Sequence, residues 1–303
     1  MALHPVLELA DLLHHDASIR RSVSITCMGK RDGGGAQVHA IMSAIAFARA
    51  TGVKYVHSPF VRIGHSPIAA DWALRWERFF SLGAGEEQLS EAAVPIETFL
   101  ASQRDLPGRR VVAAPFYHPF LDQNADVYRG VLGDLRQKYA ISDKGDLPSH
   151  RTMAGLTVGV HLRRGDVKPD NARRYTEDEV VLRTIEGIRD VLYEFSQFIR
   201  INLFSEGPLQ SFHRFACGCD LHLDTDPFDA FHNLVCSDVL VLAKSSFSYA
   251  AALLSPNVCL YEPFWHRPLS SWIVRDPAGN FDRAGFRELF LRWSDKTPSP
   301  KES

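Results

Sequence analysis

The residues best suited to chemistry end an apolar run, VGVHLRRGDV (Val158 to Val167), and they are His161, Arg163, Arg164 and Asp166. In a strand, alternation places His161 and Arg163 on one face and Arg164 on the other. Ligands of open parallel sheets bind outside the carboxyl ends of the strands. Two adjacent guanidinium groups there suit a diphosphate, because arginine presents a rigid fork of donors and keeps its charge. A salt bridge between an arginine and Asp166 is the simpler alternative.

A second apolar run, DVLVLA, is followed by Lys244, Ser245, Ser246 and Phe247. An alanine- and leucine-rich stretch then extends to Leu254. Serine is a favoured N-cap residue, and the first turn of a helix presents free N–H groups and partial positive charge to an anion. The pattern predicts a strand and then a helix whose first residues bind phosphate, with Ser245 and Ser246 as hydroxyl donors. An ordinary capped helix fits the same pattern.

A third candidate is the glycine run Gly33–Gly35, which precedes an amphipathic stretch with Gln37 near its start. The run is neither the G-x-G-x-x-G dinucleotide fingerprint nor a P-loop. Gly34, Gly35 and Gln37 fit a tight strand-to-helix turn that faces a cleft, and a plain flexible turn fits as well.

Two patterns offer a metal site as an alternative. Asp224-Thr225-Asp226 is a D-x-D motif, which in metal-dependent glycosyltransferases binds a divalent cation. A zinc site is the other possibility, assembled from His213, Cys217, Cys219 and His222. Both are weak, because short D-x-D matches are common and C-x-C is not the usual C-x₂-C spacing of zinc ligands. We therefore expect no metal.

Short apolar runs alternate with amphipathic stretches, as in βα units with parallel sheets. The first half predicts strands at SVSITCM, VKYVHS and RVVAAP, with helices after the glycine run and at ADWALRWERFF. The second half predicts strands at LTVGVHL, IRINLFS, DVLVLA and NVCLY, with helices beginning near Asp229 and Ser246. Thr176 and Glu179 predict a capping box for one more helix. The core side of that helix comprises Leu182, Ile185, Ile188 and Leu192.

The length of 303 residues suits two domains of about 150 residues each. Polar and turn-forming residues between Ala140 and Arg151 predict a linker. We therefore expect an α/β fold with two Rossmann-like domains, residues 1–145 and residues 152–303.

The net charge of −2 argues against a nucleic-acid-binding protein, which needs a basic face. The five cysteines form no regular disulfide framework, and most lie among apolar residues, which favours a reducing cytoplasm. The first residues lack the apolar core of a signal peptide, and no stretch approaches the roughly 18 apolar residues of a spanning helix. We expect a cytoplasmic protein whose contact with a membrane is at most peripheral.

The block HLRRGD, followed some eighty residues later by a strand and SSFS, resembles the fucosyltransferase superfamily. That group includes α1,2-fucosyltransferases, α1,6-fucosyltransferases and protein O-fucosyltransferases. The stretch GGGAQVHAIMSAIAFARATG is similar to the glycine-containing loop and helix near the start of several members. The resemblance covers most of the chain from Gly33 to Leu254.

The resemblance implies a GT-B fold of two facing Rossmann-like domains and an inverting, metal-independent transfer of fucose from GDP-fucose. The donor would bind the C-terminal domain, and a glycan or glycolipid acceptor would approach the N-terminal domain near Gly34, Gly35 and Gln37. No cofactor is implied besides the donor substrate. Two alternatives stay open: a GT-B transferase that uses another nucleotide sugar, and a GDP-sugar-binding domain without catalysis.

By position, Arg163 matches the arginine that contacts the β-phosphate in this family, and His161 matches a residue near the guanosine. Asp229 matches an acid that recognises the guanine edge. The implied donor site comprises His161, Arg163, Ser205, Glu206, Asp229, Lys244, Ser245, Ser246 and Phe247. Its Ser205-Glu206 pair replaces the Thr-Asp or Ser-Asp of relatives.

Arg164 is implied as a further aid to the leaving diphosphate. Some relatives have a glutamate in the loop after the arginines, where this chain has KPDN. Asp166 and Asp170 are then the nearest candidates for the base that activates the acceptor hydroxyl. The residues implied in catalysis are Arg163, Arg164, Asp166 and Asp170.

Overall fold

The structure is a computed structural model that describes residues 3–64, 71–102, 108–152 and 155–295. The chain divides into two compact units, Met1–Lys144 (unit 1) and Gly145–Ser303 (unit 2). Each unit is built on a parallel sheet with helices. This confirms the predicted α/β fold class with two Rossmann-like units.

The described residues of unit 1 form a five-stranded sheet. Its strands are β1 (Val23–Cys27), β2 (Lys54–His57), β3 (Glu87–Gln88), β4 (Val94–Pro95) and β5 (Arg110–Ala114). They lie in the order β3-β2-β1-β5-β4, and all pairs are parallel. The three longer strands coincide with the predicted ones. The strands β3 and β4 are only two residues long and leave no apolar pattern in the sequence.

The helices of unit 1 are α1 (Pro5–His15), α2 (Ala17–Ser22), α3 (Gly34–Thr51), α4 (Trp72–Phe80), α5 (Ile96–Ser102), α6 (His118–Leu121) and α7 (Leu132–Ile141). A 3₁₀ helix spans Ala125–Gly130. Helix α3 begins within the glycine run, at Gly34, and contacts β1 and β2. It ends at Gly52, whose φ of 74° is the left-handed conformation that glycine adopts without steric cost.

The described residues of unit 2 form a six-stranded sheet. Its strands are β6 (Leu156–His161), β7 (Ile199–Ser205), β8 (Asp220–Leu223), β9 (Val239–Val241), β10 (Val258–Tyr261) and β11 (Ile273–Val274). All pairs are parallel, and the order is β11-β10-β9-β6-β7-β8. Counted from β6, this is the order 3-2-1-4-5-6 of a dinucleotide-binding Rossmann sheet. The order reverses between β6 and β9, where such sheets bind their ligands.

The helices of unit 2 are α8 (Asp178–Leu192), α9 (Pro227–Cys236), α10 (Ser246–Leu254) and α11 (Arg283–Ser294). A 3₁₀ helix spans Leu209–Phe212. Leu162 and alternate residues of the central strands pack against α8 and α11. The opposite face of β6 meets α9, because a Cβ on Gly159 would lie 2.4 Å from the Ser237 hydroxyl just after that helix. This alternation sets the direction of the residues that follow β6.

The predicted capping box before α8 is wrong. The N-cap residue of this helix is Glu177, and its side chain makes no capping hydrogen bond. Thr176 instead donates to the Glu262 carboxylate at 2.6 Å, and Glu179 pairs with Arg214 on the surface. The Thr176 hydroxyl therefore binds the Glu262 carboxylate, which is distant in sequence, instead of capping α8.

The segment predicted as a linker begins inside α7, which extends to Ile141. At its other end, the His150 N–H donates to Asn233 at 2.8 Å, and Arg151 pairs with the buried Asp238. These last residues therefore belong to the packed part of unit 2. No helix in the described part of the chain is long and apolar enough to cross a membrane.

Candidate functional site

The predicted phosphate-binding residues meet at the switch point of unit 2. Strands β6 and β9 are neighbours, with Val160 opposite Val241, so their carboxyl ends lie side by side. Arg163 follows the first strand and Ser245 follows the second, and the Arg163 Nη1 atom donates to the Ser245 Oγ atom at 3.2 Å. Helix α10 begins at the next residue. An arginine and a helix N-terminus thus converge at the place where Rossmann sheets bind ligands.

Arg163 is held from two sides and is still accessible. Its guanidinium donates to both oxygens of Asp166, at 3.1 and 2.6 Å, besides its bond to Ser245. About a quarter of its side chain is exposed (26%). The salt bridge between Arg163 and Asp166, given above as the simpler alternative, is therefore present. With this salt bridge in place, the guanidinium still contacts Ser245 at the start of α10.

The start of α10 presents a prepared set of donors. The Ser245 Oγ atom accepts from the Phe247 N–H at 3.2 Å and from Arg163, which leaves its own hydrogen to be donated. Ser245 is nearly fully buried (1% exposed), so it braces the arginine and caps the helix. Ser246 is partly exposed, and its hydroxyl lies 3.4 Å from the His266 Nε2 atom.

His161 is a neutral imidazole beside this cluster. Burial, together with the positive charge of Arg163, lowers the pKa of His161 to about 3. Its Nδ1 atom is buried and has no hydrogen-bond partner among the described residues. Its ring lies 5.4 Å from that of Phe247 on α10. An unpaired buried polar atom at the mouth of a site calls for a partner that a ligand can supply.

A row of aromatic rings extends from His161 across the sheet. The register aligns His161 with Phe204 on β7 and Phe204 with His222 on β8, so all three side chains share one face. The rings of Phe204 and His222 stack at 4.7 Å, and His150 lies 4.1 Å from His222. Burial lowers the pKa of His222, which favours the neutral form of its imidazole. Phe204 is buried, so of the three aligned rings, those with exposed surface at this edge are the rings of His161 and His222.

Asp229 lies in the first turn of α9, close to the same row. Its Oδ1 atom accepts from the Asn233 amide at 2.6 Å, and the His150 Nε2 atom lies 3.4 Å from its Oδ2 atom. The residue is buried. Its carboxylate thus has two protein partners, and a guanine would have to replace His150 to be read by it.

The two predicted residues at the end of β7, Ser205 and Glu206, have different surroundings. The Ser205 hydroxyl donates to the Leu162 carbonyl oxygen at 2.5 Å and so ties the ends of β6 and β7 together. Glu206 is exposed and lies against Gly165. Gly165 has a φ of 65°, and a Cβ there would lie 2.4 Å from a Glu206 carboxylate oxygen. The left-handed φ favours glycine at this position of the R-G-D block, whereas the exposed Glu206 side chain could move away from a Cβ.

Arg164 points away from the phosphate cluster, as alternation predicts. Its guanidinium donates to the Thr176 carbonyl oxygen at 2.9 Å and to Asp178 at 2.5 Å, and lies 4.1 Å from the Tyr175 ring. It anchors the loop between β6 and α8 to the start of that helix. Of the two arginines, Arg163 is the one that lies against Ser245 at the start of α10.

Lys244 also holds this loop. Its Nζ atom donates to the carbonyl oxygens of Ala172 and Tyr175, at 3.2 and 3.0 Å, and lies 3.4 Å from the Glu262 carboxylate. The other oxygen of Glu262 accepts from Thr176 and from the buried Arg275, both at 2.6 Å. Lys244, Glu262 and Arg275 thus form a buried ionic network beneath the loop.

Sequence reasoning missed this network. Glu262 follows the predicted strand NVCLY directly, so the rule that ligand-binding edges lie at carboxyl ends of strands would have singled it out. Arg275 also follows a strand directly, but β11 is only two residues long and leaves no apolar pattern, so this residue is recognisable only by its burial (1% exposed).

The two base candidates differ in availability. Both oxygens of Asp166 are engaged by Arg163. Asp170 is exposed on the same loop and makes no hydrogen bond or ion pair with the residues that the structure describes. The structure therefore leaves Asp170 as the available carboxylate of the pair.

In unit 1, the predicted acceptor-side residues form a tightly packed turn. A Cβ on Gly34 would lie 2.1 Å from the Trp76 indole, so only glycine fits at the start of α3. The Gln37 amide donates to the carbonyl oxygens of Asp32 and Arg62, at 2.6 and 2.8 Å, and thereby joins two loops. Gly35 is buried beside them. These residues shape the loops at the carboxyl ends of β1 and β2.

The residues of the D-x-D motif act as backbone caps. Asp224 accepts from the Gly207 N–H at 2.9 Å, and Asp226 accepts from the Phe228 N–H at the start of α9. The side chains proposed for zinc are His213, Cys217, Cys219 and His222. Within the described residues, these four do not bring three ligand atoms within 4.8 Å of one another.

No protein-family model matches the sequence, and no curated protein sequence matches it significantly. Among solved structures, the chain is similar to the NodZ α1,6-fucosyltransferase co-crystallised with GDP, with 13% identity, a TM-score of 0.43 and coverage of 86% of this chain and 97% of that chain. It is also similar to the selenomethionine form of fucosyltransferase NodZ from Bradyrhizobium (12%, TM-score 0.42, coverage 77% and 92%). A third similar structure is POFUT1 in complex with GDP (11%, TM-score 0.33, coverage 78% and 95%). Identities this low specify neither a substrate nor a mechanism for this chain.

Proposed function

We propose that the chain is an inverting, metal-independent glycosyltransferase that transfers fucose from GDP-fucose to a glycan acceptor. The observation that carries the proposal is the meeting of Arg163 with Ser245 and the N-terminus of α10 at the switch point of unit 2. The resemblance of HLRRGD and SSFS to fucosyltransferases supports the choice of sugar.

Glycosyl transfer proceeds through an oxocarbenium-like transition state while negative charge grows on the leaving diphosphate. Fixed donors aimed at that charge stabilise it without reorganisation. Arg163 is preorganised by Asp166 and Ser245, and the first N–H groups of α10 add a partial positive charge. These groups supply the stabilisation that a metal ion provides in other glycosyltransferases.

The nucleoside is assigned to the aromatic row that begins at His161. A neutral imidazole at this position makes a hydrogen bond to the ligand without adding positive charge beside the base. Asp229 would accept from the N1–H and exocyclic amine of guanine, a pair of donors on one edge of the base. His150, which holds that carboxylate now, would move aside when the base enters.

Asp170 is the proposed base for the acceptor hydroxyl, because Asp166 is engaged by Arg163. Gly34, Gly35 and Gln37 are proposed to shape the acceptor side of unit 1. Arg164 and Lys244 are proposed as positioning residues, since their donors bind the loop that carries Asp170.

The first experiment is thermal unfolding of the purified chain with GDP, UDP, ADP or CMP, each with and without EDTA. A ligand at a hundred times its Kd adds about 2.7 kcal/mol of stability. For a chain of 303 residues that unfolds as one unit, this corresponds to a rise in the midpoint of about 4 °C. We expect this rise with GDP only, and we expect it to survive EDTA.

A rise with UDP instead would favour the same fold acting on another nucleotide sugar, because Arg163 and the helix recognise only phosphate. Loss of the rise in EDTA would contradict the metal-free site. Binding of GDP-fucose with no transfer of fucose to any glycan, and hence no release of GDP, would favour the second candidate, a nucleotide-sugar-binding domain without catalysis. The feature that favours this candidate is KPDN, which replaces the glutamate-containing loop of some relatives.

A further inference from the structure

Trp265 is an exposed aromatic residue at the edge of the candidate site. It lies in the loop that follows β10, three residues after Glu262. More than a third of its surface is exposed (37%), whereas its neighbours Tyr249, Tyr261 and Trp272 are buried against one another. The fold therefore uses the surrounding rings to build a core and leaves this one indole at the surface.

The first connection between Trp265 and the phosphate cluster passes through His266. The Trp265 Nε1–H donates to the His266 Nε2 atom at 3.0 Å, and this same nitrogen lies 3.4 Å from the Ser246 hydroxyl. His266 is buried, so the indole is held in one orientation next to the first residue of α10.

The second connection passes through the loop after β6. The Arg174 guanidinium lies 5.3 Å from the centre of the Trp265 ring. Arg174 is also 4.0 Å from Asp166, which holds Arg163. Two independent chains of contacts thus place the indole beside both phosphate-binding elements, Arg163 and the start of α10.

We propose that the Trp265 indole is the platform on which the pyranose ring of the donor sugar lies. This inference rests on the proposed function, since it takes the diphosphate to bind Arg163 and α10. The sugar is bonded directly to the terminal phosphate of the donor, so it must lie next to Arg163 and the start of α10. The face of an indole carries partial negative charge and attracts the C–H groups of a sugar. The rigid bond to His266 keeps that face from turning away.

An apolar indole at this position affects which donor sugar the site favours. A deoxysugar presents a methyl group where an ordinary hexose presents a hydroxymethyl group. An apolar ring contacts the methyl group without leaving a hydroxyl unsatisfied. Trp265 therefore favours a 6-deoxyhexose over a hexose on the same nucleotide.

The test compares the affinities of GDP and GDP-fucose by calorimetry in the full chain. In the unsubstituted protein we expect GDP-fucose to bind about three- to tenfold more tightly than GDP, the gain of one aromatic contact. Trp265→Ala should abolish this ratio while leaving the affinity for GDP unchanged, and Trp265→Phe should keep most of it. Tyr193→Ala is the control, because Tyr193 is an even more exposed aromatic residue (51%) just after the C-terminal end of α8.

The two proposals fail in different ways. If GDP does not bind the unsubstituted protein, the proposed function is wrong. If GDP binds but Trp265→Ala keeps the full ratio, the platform is wrong and the nucleotide site stands. A Trp265→Ala variant that loses GDP affinity as much as GDP-fucose affinity also overturns the platform, because the indole would then support the phosphate site instead. GDP-mannose measured in parallel tests the preference: the ratio of GDP-fucose to GDP-mannose affinity should fall in Trp265→Ala.

Discussion

Arg163 illustrates how one side chain satisfies a structural and a chemical requirement together. Its bonds to Asp166 and Ser245 use donors on both edges of the guanidinium, so the group is fixed before any ligand arrives. A fixed donor loses little conformational entropy on binding an anion. These bonds use three of its five N–H donors, and the exposed quarter of the side chain leaves one N–H on each of Nη1 and Nη2 for an incoming phosphate.

Replacement of Arg163 by alanine should weaken GDP binding about 10- to 100-fold, because charged hydrogen bonds are each worth about 1.5–3 kcal/mol. Calorimetry with GDP and GMP measures the effect. The loss should be larger for GDP than for GMP, since the arginine is assigned to the β-phosphate. Arg287→Ala, which removes an exposed guanidinium paired with Glu194, is the control and should change neither affinity. Equal losses for both nucleotides would place the arginine elsewhere.

His161 should make the protein sensitive to acid. Its pKa is about 3 in the folded chain and near 6.5 when exposed, so between these values the unfolded chain binds the additional proton. Stability therefore rises with pH through this window and is lost as the pH falls from about 6.5 toward 3. In His161→Gln this contribution is absent.

Urea unfolding at pH 7.5 and pH 5.0 measures the effect of that substitution. Whatever stability His161→Gln loses at pH 7.5, the gap to the unsubstituted protein should narrow or reverse at pH 5.0. Other titrating groups cancel in the difference between the two proteins. A gap that is independent of pH would mean that the folded chain tolerates a charged imidazole at this position.

At the scale of elements, the loop between β6 and α8 depends on buried charge. Arg164 binds its carboxyl end, and Lys244 binds the carbonyl oxygens of Ala172 and Tyr175. Glu262 balances Lys244 and the buried Arg275, whose pKa burial lowers. The loop is therefore held by hydrogen bonds from charged side chains, which are balanced by an ionic network at the carboxyl ends of β9, β10 and β11.

Glu262→Gln should destabilise the protein by about 3–5 kcal/mol, because it leaves buried cations without their counter-charge. Chemical denaturation measures the loss. Glu179→Gln is the matched control: it removes the same charge from an exposed ion pair with Arg214 and should leave stability unchanged. If both substitutions have the same small effect, the network does not hold the loop.

The longer strands and helices could be predicted because each is determined by the apolar pattern and capping residues of its own segment. Apolar runs such as VGVHL and DVLVL mark buried strands, and serine after a strand marks the start of α10. The error at Thr176 has the opposite cause: its hydroxyl is taken by Glu262, 86 residues away, which no local pattern encodes. The meeting of Arg163 and Ser245 was predictable, since parallel strands end at one edge.

At the scale of the whole molecule, the chemistry assigned to the nucleotide lies in unit 2 alone. Arg163, Ser245, His161 and Asp229 all belong to this unit. The glycine turn and Gln37 belong to unit 1, where they shape the ends of β1 and β2. The proposed function therefore assigns donor and acceptor binding to separate units, each with its own sheet.

This division predicts where GDP alone will slow hydrogen exchange. Binding should protect the amides of the loop from Arg163 to Thr176 and of the first turn of α10, because a bound diphosphate bridges these two elements and raises the cost of local opening. Amides at the start of α3, where Gly34 and Gln37 already pack against neighbouring loops, should exchange at the same rate with and without GDP. Exchange measured by mass spectrometry distinguishes the two patterns. Protection at the start of α3 without protection at α10 would assign the nucleotide to unit 1 and reverse the proposed roles of the two sheets.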